Sequence, residues 1–454
     1  GSLLISNVSS VFNTNSRNVT IFGNFTNLNT TVSTGLNVGG YRPISATQTT
    51  FFKGATSNQT ITGVAGNLTN FGNLVIENIF LAGTVTVAPN TNLRVNNILT
   101  LNEGTFATGL NTITTVGNIY NQSLHTSVGI GAIVMSGSAL QFIDGDNNGV
   151  FGSLTLNNAA GAQTIADITV NGTLTLSNGI IYIDNNLLNM GASATATGTF
   201  SATRMIRTNG AISDSGMVKN YPIGASSFTF PIGVTGKYTP VTYNVTANGA
   251  VGAIQIRPVN AKHPATTDAA ALELNYYWLV NSTGFSGLTL THTYNYLNAD
   301  VNGTETNYVT GRFLSNAWTP LFGIGATVNS AANTMTLTGV NFINGAYTAG
   351  ESSEFNVITD LYSRDATLGG NWSDVNSWSA TGHAGLPAGV IPTFQNVFIA
   401  TGHTITADNN FLASSNLDID GTLDLVSFIG HNFGIVTGNG RLRITTTPSN
   451  NFVF

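Results

Sequence analysis

Asp144-Gly145-Asp146-Asn147-Asn148-Gly149 carries the residue types of an oxygen-ligand calcium loop. Carboxylates alternate with spacer residues, an amide follows, and a glycine stands where the chain must turn sharply. Asp144, Asp146 and Asn148 are therefore the candidate metal ligands, and calcium is the one cofactor the sequence offers. The twelfth position of such a loop is Thr155 rather than a bidentate carboxylate. That excludes a full EF-hand and leaves at most a weak site. Asp and Asn also favour tight turns between strands without any metal, and that reading stands beside the first. The remaining acid and amide groups, Asp184-Asn185-Asn186, Asp408-Asn409-Asn410 and Asp418/Asp420/Asp424, read as strand corners. Asn tolerates left-handed backbone there and can ladder its amide between neighbouring coils.

Nothing else in the chain reads as a catalytic centre. His125, His263, His292, His383, His403 and His431 show no HxH or HExxH spacing, so solvated or packed histidines are expected. There is no G-x-S-x-G elbow, Walker loop or dinucleotide fingerprint in a strand-turn-helix setting. Polysaccharide-cleaving β-helix enzymes need clustered carboxylates, or a Lys or Arg base beside acidic groups, on neighbouring coils. Lysine occurs only at 53, 219, 237 and 262, and Asp144/Asp146 is the one close acidic pair expected in the N-terminal coils. Trp372 and Trp378 are the candidate glycan-binding residues, because indole faces stack on sugar rings; Trp318 and Tyr276-Tyr277-Trp278 offer the same chemistry. Aromatics in a sandwich are more often core.

Those residues sit in a chain of unusual texture. Charged residues make up 7% of the 454 positions, against roughly 25% in an ordinary soluble domain. Glycine occurs 51 times, so hydroxyls and amides rather than charges must wet the surface. Apolar residues reach 42%, enough to build a core, which excludes disorder. A net charge of −6 with 14 dispersed Lys and Arg provides no basic stripe for nucleic acid. No apolar run approaches the roughly 20 residues of a spanning helix. The absence of cysteine excludes disulfides, thiolate metal sites and a Cys nucleophile.

The elements that must position these groups are short strands. From Gly83 to Gly117, apolar pairs at Val85/Val87, Leu93/Val95, Leu99/Leu101 and Ile113/Val116 alternate with Thr, Arg and Asn. They recur more tightly than the roughly 8–12 residues of sandwich hairpins. Short strands joined by Gly/Asn corners predict a parallel β-helix, each coil stacking on the last. Phe71–Ile76 returns as Phe151–Leu156, Ile98–Leu101 as Thr173–Leu176, and Asn171–Leu176 again as Asp420–Leu425. The offsets differ, so the repeat is degenerate. Outward T-x-T triplets such as Thr60/Thr62, Thr84/Thr86 and Thr112/Thr114 share no fixed period, which argues against an ice-binding ladder.

Between 204 and 350 strands lengthen and aromatics gather, which predicts an antiparallel β-sandwich module inserted between solenoid pieces. The one helix candidate is Ala265–Leu274, with Thr267-Asp268 as its cap. Residues 351–370 read as a linker. Residues 371–454 read as the start of a second β-helix-like segment. It ends on Asn-Phe-Val-Phe in mid-strand pattern, so a truncated fragment is expected. The predicted fold is thus all-β: a parallel β-helix over 1–203, the sandwich, the linker and the second solenoid.

Three stretches carry a resemblance. Phe228-Thr-Phe-Pro-Ile-Gly-Val-Thr-Gly-Lys-Tyr-Thr-Pro-Val241, Asn275-Tyr-Tyr-Trp-Leu279, and Asn371-Trp-Ser-Asp-Val-Asn-Ser-Trp378 with Asn396-Val-Phe-Ile-Ala-Thr-Gly-His-Thr-Ile405 resemble passages of large repetitive Bacteroidota surface proteins. Those relatives are exported by the type IX secretion system, and some are adhesins, gliding adhesins among them. The resemblance is one of phrase order rather than of a catalytic signature. It implies an extracellular, bacterial cell-surface setting and a C-terminal sorting domain that this sequence lacks.

The expectation is a non-catalytic structural or adhesive segment of a surface protein or fibre. Its partners would be surface glycans, other surface proteins or sister copies, and neither nucleic acid nor a transmembrane segment is involved. The alternatives are a polysaccharide-active β-helix lyase or hydrolase, and a glycan-binding module.

Overall fold

Alternation of apolar and polar side chains sends every second residue of each short strand inward, and the chain closes its coils around those residues. The structure, a computed structural model, describes residues 1–81, 83–266, 271–321, 325–355, 360–392, 395–410 and 412–444. It is nearly all β and divides into two units. The first comprises Gly1–Lys262, Glu273–Thr310 and Leu321–Ala349; the second comprises His263–Leu272, Gly311–Pro320 and Gly350–Phe454.

The first unit is the expected parallel β-helix, with three sheets as its faces. One face stacks parallel strands from Leu3–Ile5 to Met217–Tyr221, a second from Val19–Ile21 to Ile232–Val234, and a seven-stranded third runs from Leu68–Phe71 to Thr195–Gly198. Register on the third face pairs Leu93 with Ile113, Ile113 with Ile133, Ile133 with Leu154, and Leu154 with Leu174. One coil is therefore about 20 residues, a short solenoid repeat. Those five side chains are buried in a dry column, beside a second column of Val95, Met135, Leu156 and Leu176. Near the start, Phe25, Tyr41, Phe52 and Phe71 fill the interior with rings whose centroids lie 5.3 to 6.4 Å apart.

The antiparallel strands predicted over 204–350 are present, but not as an inserted module. Parallel stacking runs past residue 203, through Ile206–Arg207 and Ile232–Val234. Met217–Tyr221 then pairs parallel with Leu188–Met190 on one edge and antiparallel with Gly252–Val259 on the other. The same sheet continues antiparallel through Tyr277–Thr283 and Gly345–Glu351. A five-stranded antiparallel sheet, ordered Ser226–Phe230, Val241–Ala247, Thr289–Asn295, Thr334–Val340 and Ala326–Asn329, faces it. Trp278, Tyr294 and Tyr347 interlock between the two sheets, with centroids 5.2 Å apart in each of the pairs Trp278–Tyr294 and Tyr294–Tyr347. Coil and sandwich share one sheet and one core, so no boundary of exposed backbone separates them.

The second unit is again a parallel stack. Leu361, Val397, Leu417 and Val436 follow one another along one sheet, and Ile405, Leu423 and Leu442 along the other. This stack starts before the expected residue 371: Asp360–Ser363 is its first strand and Leu361 sits in its core. Residues 351–370 are thus not a simple linker, and Phe355 within them is buried. The predicted cap Thr267-Asp268 lies outside the described residues, as does the terminal Asn-Phe-Val-Phe. Ala271–Leu274 form no helix.

Candidate functional site

Stacking puts side chains together that are far apart in the chain, and two groupings of reactive side chains result. The first is on an outer face of the first unit. In the strands Asn73–Glu77 and Leu99–Glu103 the ladder register shifts after Leu101, and Glu103 comes opposite Glu77. Neighbouring strands lie roughly 4.8 Å apart, so two carboxylates project side by side from successive coils. Lys53, one coil earlier, donates from Nζ to Glu77 Oε1 at 3.0 Å and lies 5.2 Å from the Phe51 ring centroid. Tyr120 stands on the next coil, its hydroxyl 3.0 Å from Gln122 Oε1. A carboxylate pair with a lysine and aromatic rings on an open face is the chemistry that polysaccharide cleavage uses. The sequence conceals this pair, since only the bulge in register makes 77 and 103 neighbours.

The second grouping is in the second unit. Ser363 closes strand Asp360–Ser363, and its Oγ lies 2.7 Å from His403 Nδ1. His403 Nε2 lies 3.2 Å from Asp365 Oδ1, and His383 Nδ1 lies 2.6 Å from the Ser363 carbonyl. Hydroxyl, imidazole and carboxylate in series have the composition of a nucleophilic triad. The exposure is inverted, however. Ser363 is 0% exposed and its Oγ also accepts the Ala400 N–H at 3.0 Å, whereas the Asp365 side chain is 55% exposed. No substrate carbonyl can reach the hydroxyl, so the relay pins the coil corner rather than forming a reactive centre. Its only trace in the sequence is Ser363-x-Asp365, because His403 arrives from another coil.

Two histidines elsewhere, His125 and His263, are packed into the interior. His125 is buried, with Nε2 2.9 Å from Thr108 Oγ1 and Nδ1 accepting the Gly152 N–H at 3.2 Å. Burial lowers its pKa to about 3, so it is neutral at physiological pH and makes no general acid. His263, between Phe313 and Trp318, is likewise lowered by burial, to about 4.

Asp144, Asp146 and Asn148 lie together in one tight turn. Asp144 Oδ1 accepts the Gly145 N–H at 2.8 Å, and Asp146 Oδ1 accepts the Asn148 N–H at 3.1 Å. Asn147 takes φ 69°, so these oxygens serve the turn itself. Among the described residues no group of three or more His, Cys, Asp or Glu could hold a metal ion. Trp372 and Trp378 are 1% and 0% exposed and pack edge to face at 5.3 Å. The Trp378 indole N–H donates to Trp372 O at 2.8 Å, and that of Trp372 to Pro392 O at 3.3 Å. Their faces belong to the core and cannot stack on a sugar, because burying apolar rings outweighs displaying them. Trp318, Tyr276, Tyr277 and Trp278 are buried too.

What the first unit displays outward is a set of rows with little charge. Arg94, Thr114, Val134, Thr155, Thr175 and Thr197 follow one another in register across the third face. Hydroxyls bridge successive coils, Thr173 to Thr195 at 3.2 Å and Thr175 to Thr197 at 2.9 Å. Amides do the same at corners, Asn97 to Asn73 at 2.9 Å and Asn209 to Asn185 at 3.2 Å. Arg207 lies over the Tyr182 ring at 4.2 Å, beside Asp184. Among the described residues no helix is long and apolar enough to cross a membrane. No family model matches this chain, and no match is found among curated proteins or solved structures.

Proposed function

We propose that the chain is a non-catalytic structural or adhesive segment of a larger protein on the outside of a bacterial cell. The observation that carries this reading is the row of neutral hydroxyls held in register on the third face. Repetition turns weak contacts into strong ones when many engage together. Such rows fit glycans, other surface proteins or sister copies, and their contacts are insensitive to salt because little charge is involved. The cell-surface setting, and export by the type IX system of Bacteroidota, rest on the resemblance of the Phe228–Val241, Asn275–Leu279 and 371–405 passages.

Binding of the immobilised chain to a panel of bacterial and plant polysaccharides tests this reading. The double substitution Thr155→Val/Thr175→Val, which removes the hydroxyls but keeps the β-branched shape, should lower binding at least tenfold while changing the melting temperature only slightly. Unchanged binding, or none by the unsubstituted chain to glycans, cells or itself, would remove the adhesive role.

The Glu77/Glu103 pair favours one second reading, a polysaccharide lyase or hydrolase. Release of reducing ends or unsaturated products, abolished by Glu77→Gln or Glu103→Gln, would replace the first reading with this one.

A further inference from the structure

Where the parallel coils give way to the sandwich, a lysine, an asparagine and a buried aspartate meet. Lys237 lies in the hairpin strand Lys237–Tyr238, Asn260 directly follows strand Gly252–Val259, and Asp300 ends the short turn Asn298–Asp300. Lys237 Nζ lies 2.6 Å from Asn260 Oδ1 and donates to Asp300 Oδ1. A carbonyl bond is about 1.23 Å long, so the Asn260 amide carbon is at most about 3.8 Å from Nζ. That approaches the roughly 3–3.5 Å of a near-attack arrangement. Asp300 is 1% exposed, and its Oδ2 has no hydrogen-bond partner among the described residues. The Tyr276 ring lies 5.5 Å from Nζ and walls one side of the site.

We propose that Lys237 and Asn260 form an intramolecular amide bond, with Asp300 as the acid–base group. Asp300 takes a proton from the Lys237 ammonium, and the freed amine attacks the Asn260 amide carbon. The Nζ–Cγ bond forms, the Cγ–Nδ2 bond breaks, and Asp300 passes protons from Nζ to the departing nitrogen. The products are a secondary amide and one ammonium ion, and Asp300 returns to its starting carboxylate. Charge and atoms balance without an oxidant or cofactor. Proximity supplies the rate: nucleophile, electrophile and base are held by three separate elements of the fold. A chain without cysteine has no disulfide to close such a loop. This bond would constrain the unfolded state in the same way. It would also tie the last strand of one solenoid face to the antiparallel extension of another.

Mass spectrometry of the full, denatured chain tests the inference. The expected result is a mass lower than that encoded by one ammonia, a branched peptide joining the Lys237 and Asn260 segments, and resistance to trypsin after Lys237. Lys237→Arg and Asp300→Asn should each show the full encoded mass. Asn260→Asp should be lighter than its own encoded mass by one water, which separates the cross-link from any other loss of ammonia. An unsubstituted chain of full encoded mass, cut by trypsin after Lys237, would overturn the inference whether or not the variants fold.

Discussion

His125 occupies a column position between Phe106 and Phe151, and its Nε2 lies 2.9 Å from the Thr108 hydroxyl inside the coil. An imidazole in that position is a stack residue that has kept a proton site. Burial lowers its pKa from 6.5 to about 3. Between those values the unfolded chain binds a proton that the folded chain refuses. Stability from neutral His125 is therefore complete above pH 6.5 and is lost as pH falls towards 3. Melting temperature measured from pH 7 to 3 should fall less steeply for His125→Phe, which suits the ring-filled column. At pH 7 the variant should lose about 1–3 kcal/mol, because the buried Gly152 N–H loses its acceptor while Thr108 keeps the Thr126 carbonyl. Parallel pH curves for the two proteins would contradict the burial of this ring.

Trp372→Ala and Trp378→Ala should each destabilise the second unit by about 3–5 kcal/mol in denaturant titrations. Trp372→Phe should cost much less, because a ring still fills the space against Phe433. If Trp372→Ala instead left stability intact and abolished glycan binding, the indole would have to be at the surface after all.

Ser363 is expected to be silent towards a fluorophosphonate probe, since its hydroxyl is sealed between His403 and the Ala400 N–H. Ser363→Ala should cost about 1–3 kcal/mol, the penalty of leaving those buried groups unpaired. Covalent labelling of Ser363 in the folded chain would make the relay a reactive centre.

Gly179 turns a coil corner at φ +89°, and a Cβ there would lie 1.9 Å from Asn158 O. Gly179→Ala should therefore cost at least about 2 kcal/mol, from left-handed backbone and displaced coil together. Gly66 has φ +79° with open space around it, so Gly66→Ala should show only the backbone part, about 1 kcal/mol. Equal losses at the two glycines would mean that close stacking of coils is not what selects glycine at corners.

The amino-acid sequence by itself determined the period of two, the shortness of the strands and the placing of Gly and Asn at corners, and with them the all-β solenoid at both ends. These are local properties, set by which way each side chain points and by which residues tolerate a positive φ. For the aromatics of 204–350 it favoured core over display without deciding between them. What it left open is which strand lies on which. Phe71–Ile76 and Phe151–Leu156 read alike, yet Leu74 belongs to the second face and Leu154 to the third. All three faces obey the same alternation, so text similarity carries no face label. Register across coils, set by the length of each corner and by bulges such as that after Leu101, was decided only by closing the whole stack. The same closure made Met217–Tyr221 a strand of both coil and sandwich, and drew Trp372 and Trp378 inward. It also assembled Glu77 with Glu103, Ser363 with His403, and Lys237 with Asn260 and Asp300. Each of these meetings depends on contacts between distant segments, and contacts of that range are energies of the folded state rather than properties of any local stretch of chain.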